Sequence, residues 1–148
     1  MNKQIHELSV IELLHGLEDK LFSSVDIVKH YLDRINRYNS VLNAYLHINE
    51  KALDSAGEID EQISKGRITK PLQGIPIAIK DNFLTVGLPT TASSLVLKDY
   101  YPHYESTVTQ RLLDAGAIIL GKTNMDAWAH GSSTETSQYG PTLNPWNL

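Results

Sequence analysis

Two short apolar runs, "GIPIAI" at 74–79 and "AIIL" at 117–120, constrain the fold of this chain more than any other feature. Each is rich in isoleucine, too short for a helix, and closed by a polar stop that carries a lysine: Lys80-Asp81-Asn82 after the first, Gly121-Lys122 after the second. Such runs read as buried strands, and Pro76 stands near the start of its run, where a missing N–H is tolerated. Between them a loop rich in Thr, Ser, Gly and Pro leads into Thr107 to Ala115, where Val108, Leu112 and Ala115 recur at helical spacing before Gly116. Strand, helix and strand in this order predict a right-handed parallel βαβ unit. Ligand chemistry in such sheets lies at the carboxyl ends of the strands, which is where Lys80 and Lys122 fall.

Residues 1–66 read as helical and 71–148 as the strand-helix-strand region, together one partial domain. Ser9 and Glu12 have capping-box spacing, and Val10, Leu13, Leu14, Leu17 and Leu21 form the stripe of a first helix. Ser23 and Asp26 announce a second, with Val28, Tyr31, Leu32 and Ile35 on one face and a stop near Asn39. After the short apolar segment "NAYLHI", Ala52, Ala56, Ile59 and Ile63 describe a third, ended by Gly66. The fold class is α/β: N-terminal helices, then the start of a mixed, mostly parallel sheet flanked by helices.

With 148 residues, 41% of them hydrophobic, the chain can build a real core. A formal net charge of −4 disfavours direct nucleic-acid binding by this chain, so any RNA must be held mainly by a partner. There is no cysteine for a disulfide framework or thiol catalysis, and no apolar run long enough to span a bilayer. The expected protein is soluble and cytoplasmic. His103 and His130 lack metal-ligand spacing, so no metal site is expected.

"GAIILGKT", 116–123, matches the phosphate-loop pattern of glycine, four residues, glycine, lysine and threonine. Its four intervening residues are themselves the strand, however, and N–H groups committed to a ladder cannot cradle phosphate. Lys122 is therefore expected to pack its stem and send its head to solvent. The same snorkelling arrangement is open to Lys80. The alternative for Lys80 is chemical: burial against the isoleucine-rich strand would favour its neutral form and make it a base, while Asp81 faces the other way. The second informative stretch, "HGSSTETSQYGPTLNPWN" at 130–147, gathers Ser132, Ser133, Thr134, Thr136 and Ser137 between glycines. Such loops serve turns and caps more often than catalysis, and Glu135 reads as surface. Trp128, Trp146 and Tyr139 fit a core or a contact surface equally.

"GIPIAIKDN", the "TTASS" of 90–94 and "GAIILGKTNMDAWAHGSSTETSQYGPTLNPWN" together resemble the amidase signature family, from about Leu8 onward and most closely its tRNA-linked branch. That resemblance implies that Lys80 is the lysine of a Ser-cisSer-Lys triad. It implies that Gly131, Ser132 and Ser133 contact substrate, because the corresponding loop lines the family's pocket. Both family serines lie in a Gly/Ser-rich signature beyond the N-P-W-N segment, so Ser132, Ser133 and Ser137 are neither of them. The expectation is the N-terminal part of a longer glutamine-hydrolysing enzyme, inactive alone, which supplies ammonia within a complex of several subunits. ATP, Mg and the mischarged tRNA would be bound by partner subunits, with no cofactor on this chain. A stand-alone amidase acting on another amide, and a non-catalytic interaction fragment that associates through uncovered strands, are the alternatives.

Overall fold

The computed structural model describes residues 3–66 and 69–147. The first two residues of the helical region and Leu148, at the end of the second, lie outside the described residues. The expected βαβ unit is present. β2 (Pro76–Lys80) and β3 (Ile118–Thr123) form a parallel ladder, joined through helix α4 (Thr107–Asp114). Two further helices, α2 (Ser24–Leu42) and α3 (Ala52–Ser64), cover the other face, so the sheet lies between helical layers. Alternation sorts the apolar residues. Ile118 and Leu120 pack with Val28, Ala52 and Ala56 on the α2–α3 side, whereas Ile119 and Ile79 meet Leu88, Leu112 and Leu113 on the α4 side.

A third strand stands inside the region read as helical, and it makes the sheet mixed, as the expected fold class has it. β1 (Tyr45–Ile48), within "NAYLHI", runs antiparallel to β3, giving the order β1-β3-β2 and a mixed sheet. Its four residues are all half-buried, so they carry no alternation from which a strand is legible. Both ladders shift register: Ile77 pairs with Ile119 but Ala78 with Gly121, and on the other side Tyr45 pairs with Thr123 but His47 with Lys122. The close approach leaves Gly121 no room for a side chain, since a Cβ there would lie 2.2 Å from the His47 carbonyl oxygen. Gly121 thus serves the close pairing of β3 with β1, and the run before it is strand, as the rejection of the phosphate loop requires.

Both capping boxes form, at Ser9/Glu12 and Ser23/Asp26. The stripe of α1 (Val10–Glu18) is narrower than expected: Leu13 and Leu17 are buried, but Val10, its first residue, is 46% exposed, and Leu21 is 74% exposed because the helix ends before it. Helix α2 runs past Asn39 to Leu42 and stops at left-handed Asn43, φ 51°. Asn39 is no stop because its side-chain amide grips the backbone of Tyr45 in both directions, at 2.9 and 2.8 Å. In α4 the inward face is turned by one position: Thr109 is buried and Val108 is 45% exposed. Gly66 follows α3 at φ 76° with its N–H on Ile63, as expected.

Candidate active site

Lys80 is the last residue of β2 and stands at its carboxyl end, as the sequence implies. It is exposed, as is Ala78 two residues earlier on the same face. The expected burial against isoleucine is not met, because Ile77 and Ile79 point to the α4 side while Lys80 points away from them. Among the described residues Lys80 Nζ makes no hydrogen bond or ion pair.

Asp81 points the other way and is 0% exposed. Its backbone N–H donates to Thr123 O at 3.1 Å and its carbonyl accepts from Ala92 N–H at 3.1 Å, which ties the strand end to β3 and to the 90–94 loop. Its carboxylate oxygen Oδ2 accepts from the N–H of Thr91 at 3.1 Å, the N–H of Ser93 at 3.2 Å and the Thr91 hydroxyl. Its other oxygen, Oδ1, faces Lys122 Nζ at 3.4 Å.

Lys122 corrects its expectation outright: it is 0% exposed rather than snorkelling. The register shift places it opposite Ile79, and its head turns in beneath the 83–90 segment. There Nζ donates to Phe83 O at 2.9 Å and Thr90 Oγ1 at 2.8 Å, besides facing Asp81. Burial pushes the Lys122 ammonium below its ordinary range, against the opposing pull of Asp81 and Glu105. Across the sheet the imidazole of His47 is lowered likewise by burial.

The "TTASS" loop is the junction of the site. Thr90, Thr91, Ser93 and Ser94 are all buried, and Ala92 and Ser93 take left-handed φ of 49° and 51°. Ser93 donates its N–H to Asp81 and its hydroxyl to Asn124 Oδ1 at 3.0 Å, and its carbonyl accepts from Gln138 N–H at 3.0 Å. Asn124 Oδ1 also accepts from Ser137 Oγ at 2.7 Å, and its amide donates to Gly140 O at 2.8 Å. Residues 81, 93, 124 and 137 therefore form one buried polar chain from the end of β2 to the hydroxyl-rich loop.

That loop is wound around Asp126, which accepts from Ser133 N–H and Thr134 N–H at 2.9 Å each, Thr136 N–H at 3.1 Å and Thr136 Oγ1 at 2.7 Å. The Thr136 hydroxyl, followed by these N–H groups, pulls the Asp126 carboxyl down to about 2. Gly131, Ser132 and Ser133 are exposed on the outside of the turn. Ser133 Oγ donates to the exposed Glu135 at 3.0 Å. No hydrogen bond joins Lys80 to Gly131, Ser132 or Ser133 among the described residues; the connection runs through Asp81, Ser93 and Asn124. Sequence reasoning missed Asp81, Ser93, Asn124 and Asp126 as organisers, because lone polar residues carry no periodicity. Trp128 and Trp146 are exposed. A cleft of about 740 Å³ lies apart from Lys80, between β1 and the 86–89 loop, lined by His47, Asn49, Lys51, Gly87, Pro89 and Tyr101 among others. Among the described residues no group of three or more His, Cys, Asp or Glu is placed to hold a metal. No helix among them is long and apolar enough to cross a membrane.

The profile of the amidase family matches residues 26–148. The chain belongs to the amidase family. Among curated relatives, a glutamyl-tRNA(Gln) amidotransferase subunit of Prochlorococcus marinus (strain NATL2A) is 53% identical over 138 residues, covering 93% of this chain and 28% of that protein. Among solved structures, the peptide amidase of Stenotrophomonas maltophilia superposes with a TM-score of 0.89 at 34% identity, over 96% of this chain and 31% of its own. A bacterial aryl acylamidase of the amidase signature enzymes gives 0.87 at 27% identity, over 95% and 30%. The chain thus spans less than a third of the length of these relatives, and the resemblance seen in "GIPIAIKDN" and the long final segment is borne out.

Proposed function

We propose that this chain carries the base of an amide-hydrolysing site, Lys80, in a glutaminase subunit that feeds ammonia to Glu-tRNA(Gln) or Asp-tRNA(Asn). The observation that supports it best is the placement of Lys80: at the carboxyl end of a parallel strand, on an open face, its Nζ unpartnered among the described residues while Asp81 anchors the strand behind it. Neutral Lys80 takes a proton, through a bridging serine, from a nucleophilic serine. That serine adds to the side-chain amide carbon of glutamine, the proton returns to the leaving nitrogen as ammonia departs, and water releases glutamate from the acyl-enzyme. The family pattern puts both serines beyond the N-P-W-N segment, outside these 148 residues. Gly131, Ser132 and Ser133 touch the substrate in this reading. ATP, Mg²⁺ and the mischarged tRNA belong to partner subunits, and the assembly is cytoplasmic. Identity of 53% to a relative named for Glu-tRNA(Gln) amidation favours that branch. Similarity to a peptide amidase supports the second reading, a stand-alone amidase.

The test is amide hydrolysis by the full-length gene product. Lys80→Ala should lower ammonia release from glutamine by roughly 10²–10⁴-fold, and Lys80→Arg should not rescue it, since a guanidinium does not give up its proton. Amidation of tRNA supplied with free ammonium should survive Lys80→Ala in the tRNA-linked reading. Glutamine left intact while peptide amides are cleaved would favour the second reading. Ammonia released by the 148-residue chain alone, and lost in Lys80→Ala, would overturn the assignment of the serines.

A further inference from the structure

Asp81 and Lys122 are both wholly buried, yet neither reacts in the mechanism above, and a stable core does not require a charged pair at these two positions. Apolar residues of similar volume serve as well as a buried ion pair in most cores, because two charges must be stripped of water to make one. Position 122 lies opposite Ile79, beside the cluster of Ile79, Leu88 and Ile119, where an aliphatic side chain would suit the surroundings. What the pair supplies is directional. Asp81 is held by Thr123 and Ala92 through its backbone, by Thr91 and Ser93 through Oδ2, and by Lys122 at Oδ1, so the strand end cannot rotate. Because neighbours in a strand point to opposite faces, an Asp81 locked inward is a Lys80 locked outward.

We propose that Asp81 and Lys122 are positioning residues for Lys80, fixing it on the open face and, through Ser93 and Asn124, registering it against the 131–137 loop. The inference rests on the reading of Lys80 as the base. The other titratable groups facing the pair are His47 on β1 and Glu105 ahead of α4.

The experiment is the pH profile of amide hydrolysis by the full-length gene product in Asp81→Asn, Lys122→Met and the double variant, with Lys80→Ala as control. Asp81→Asn should lower kcat at least tenfold with KM within threefold, and should move the acid limb to lower pH, because the uncompensated ammonium disfavours protonated Lys80. Lys122→Met should move the limb to higher pH, and the double variant should return it while kcat stays low. A limb unmoved in all three, with kcat lowered only as folding is, overturns the proposal. If the single variants do not fold, the nearly isosteric double variant decides. A tenfold lower kcat at unchanged KM and melting midpoint supports positioning, and wild-type kcat overturns it. Activity that survives Lys80→Ala removes the underlying reading, and this inference with it.

Discussion

Lys80 and Lys122 stand near the carboxyl ends of neighbouring parallel strands, each after an isoleucine-rich run, and end in opposite environments. Lys80 is exposed and, among the described residues, unpartnered; Lys122 is sealed and donates to Phe83, Thr90 and, at longer range, Asp81. Their composition of neighbours does not explain this, because both follow aliphatic strands. Register does. The bulge in β3 between the partners of Ile77 and Ala78 puts Lys122 across from Ile79 and Thr123 across from Lys80. One extra residue therefore decides which lysine is a sealed structural cation and which stands exposed.

The comparison can be broken by substitution. Lys122→Ala should have the largest effect, about 3–5 kcal/mol in denaturant unfolding, because it strands the buried Asp81 carboxylate. Gly121→Ala comes next: its Cβ would meet the His47 carbonyl oxygen at 2.2 Å, backbone against backbone, so a loss of roughly 1–3 kcal/mol and faster amide exchange in β1 are expected. Acid sharpens the contrast between the pair and the 131–136 turn. The Asp126 carboxyl is lowered from its ordinary 3.8 to about 2, so the stability it lends is full above 3.8 and lost as pH falls through about 2. Amide resonances of Ser133, Thr134 and Thr136 should report that loosening. Lys80→Ala should be the mildest, within about 0.5 kcal/mol, as for an exposed side chain without partners. A large loss of stability there would mean that Lys80 is held by contacts like those of Lys122.

Much of the framework is legible in the sequence. Capping pairs at Ser9/Glu12 and Ser23/Asp26, the strands around Ile79 and Ile119, the helix between them and the stop at Gly66 all follow from local chemistry and periodicity. Strand β1 is not legible, because four half-buried residues show neither alternation nor full burial. Helix α2 overruns its expected stop because Asn39 is engaged by Tyr45, a contact six residues ahead that only the folded chain makes. At the site, Lys80 stands out through its place at a strand end and through the family pattern. Asp81, Ser93 and Asn124 do not, because each draws its role from partners that are distant in sequence, ten to forty-two residues away for Asp81 alone.

The amino-acid sequence by itself determined the βαβ unit, the two capped helices and the position of Lys80 at the end of β2, since each depends on spacing within a few residues. Only the tertiary structure decided that Lys122 is buried, that Asp81 is its counter-ion and that a third strand closes the sheet's other side. Those outcomes depend on ladder register and long-range hydrogen bonds, which a local pattern of side chains does not encode.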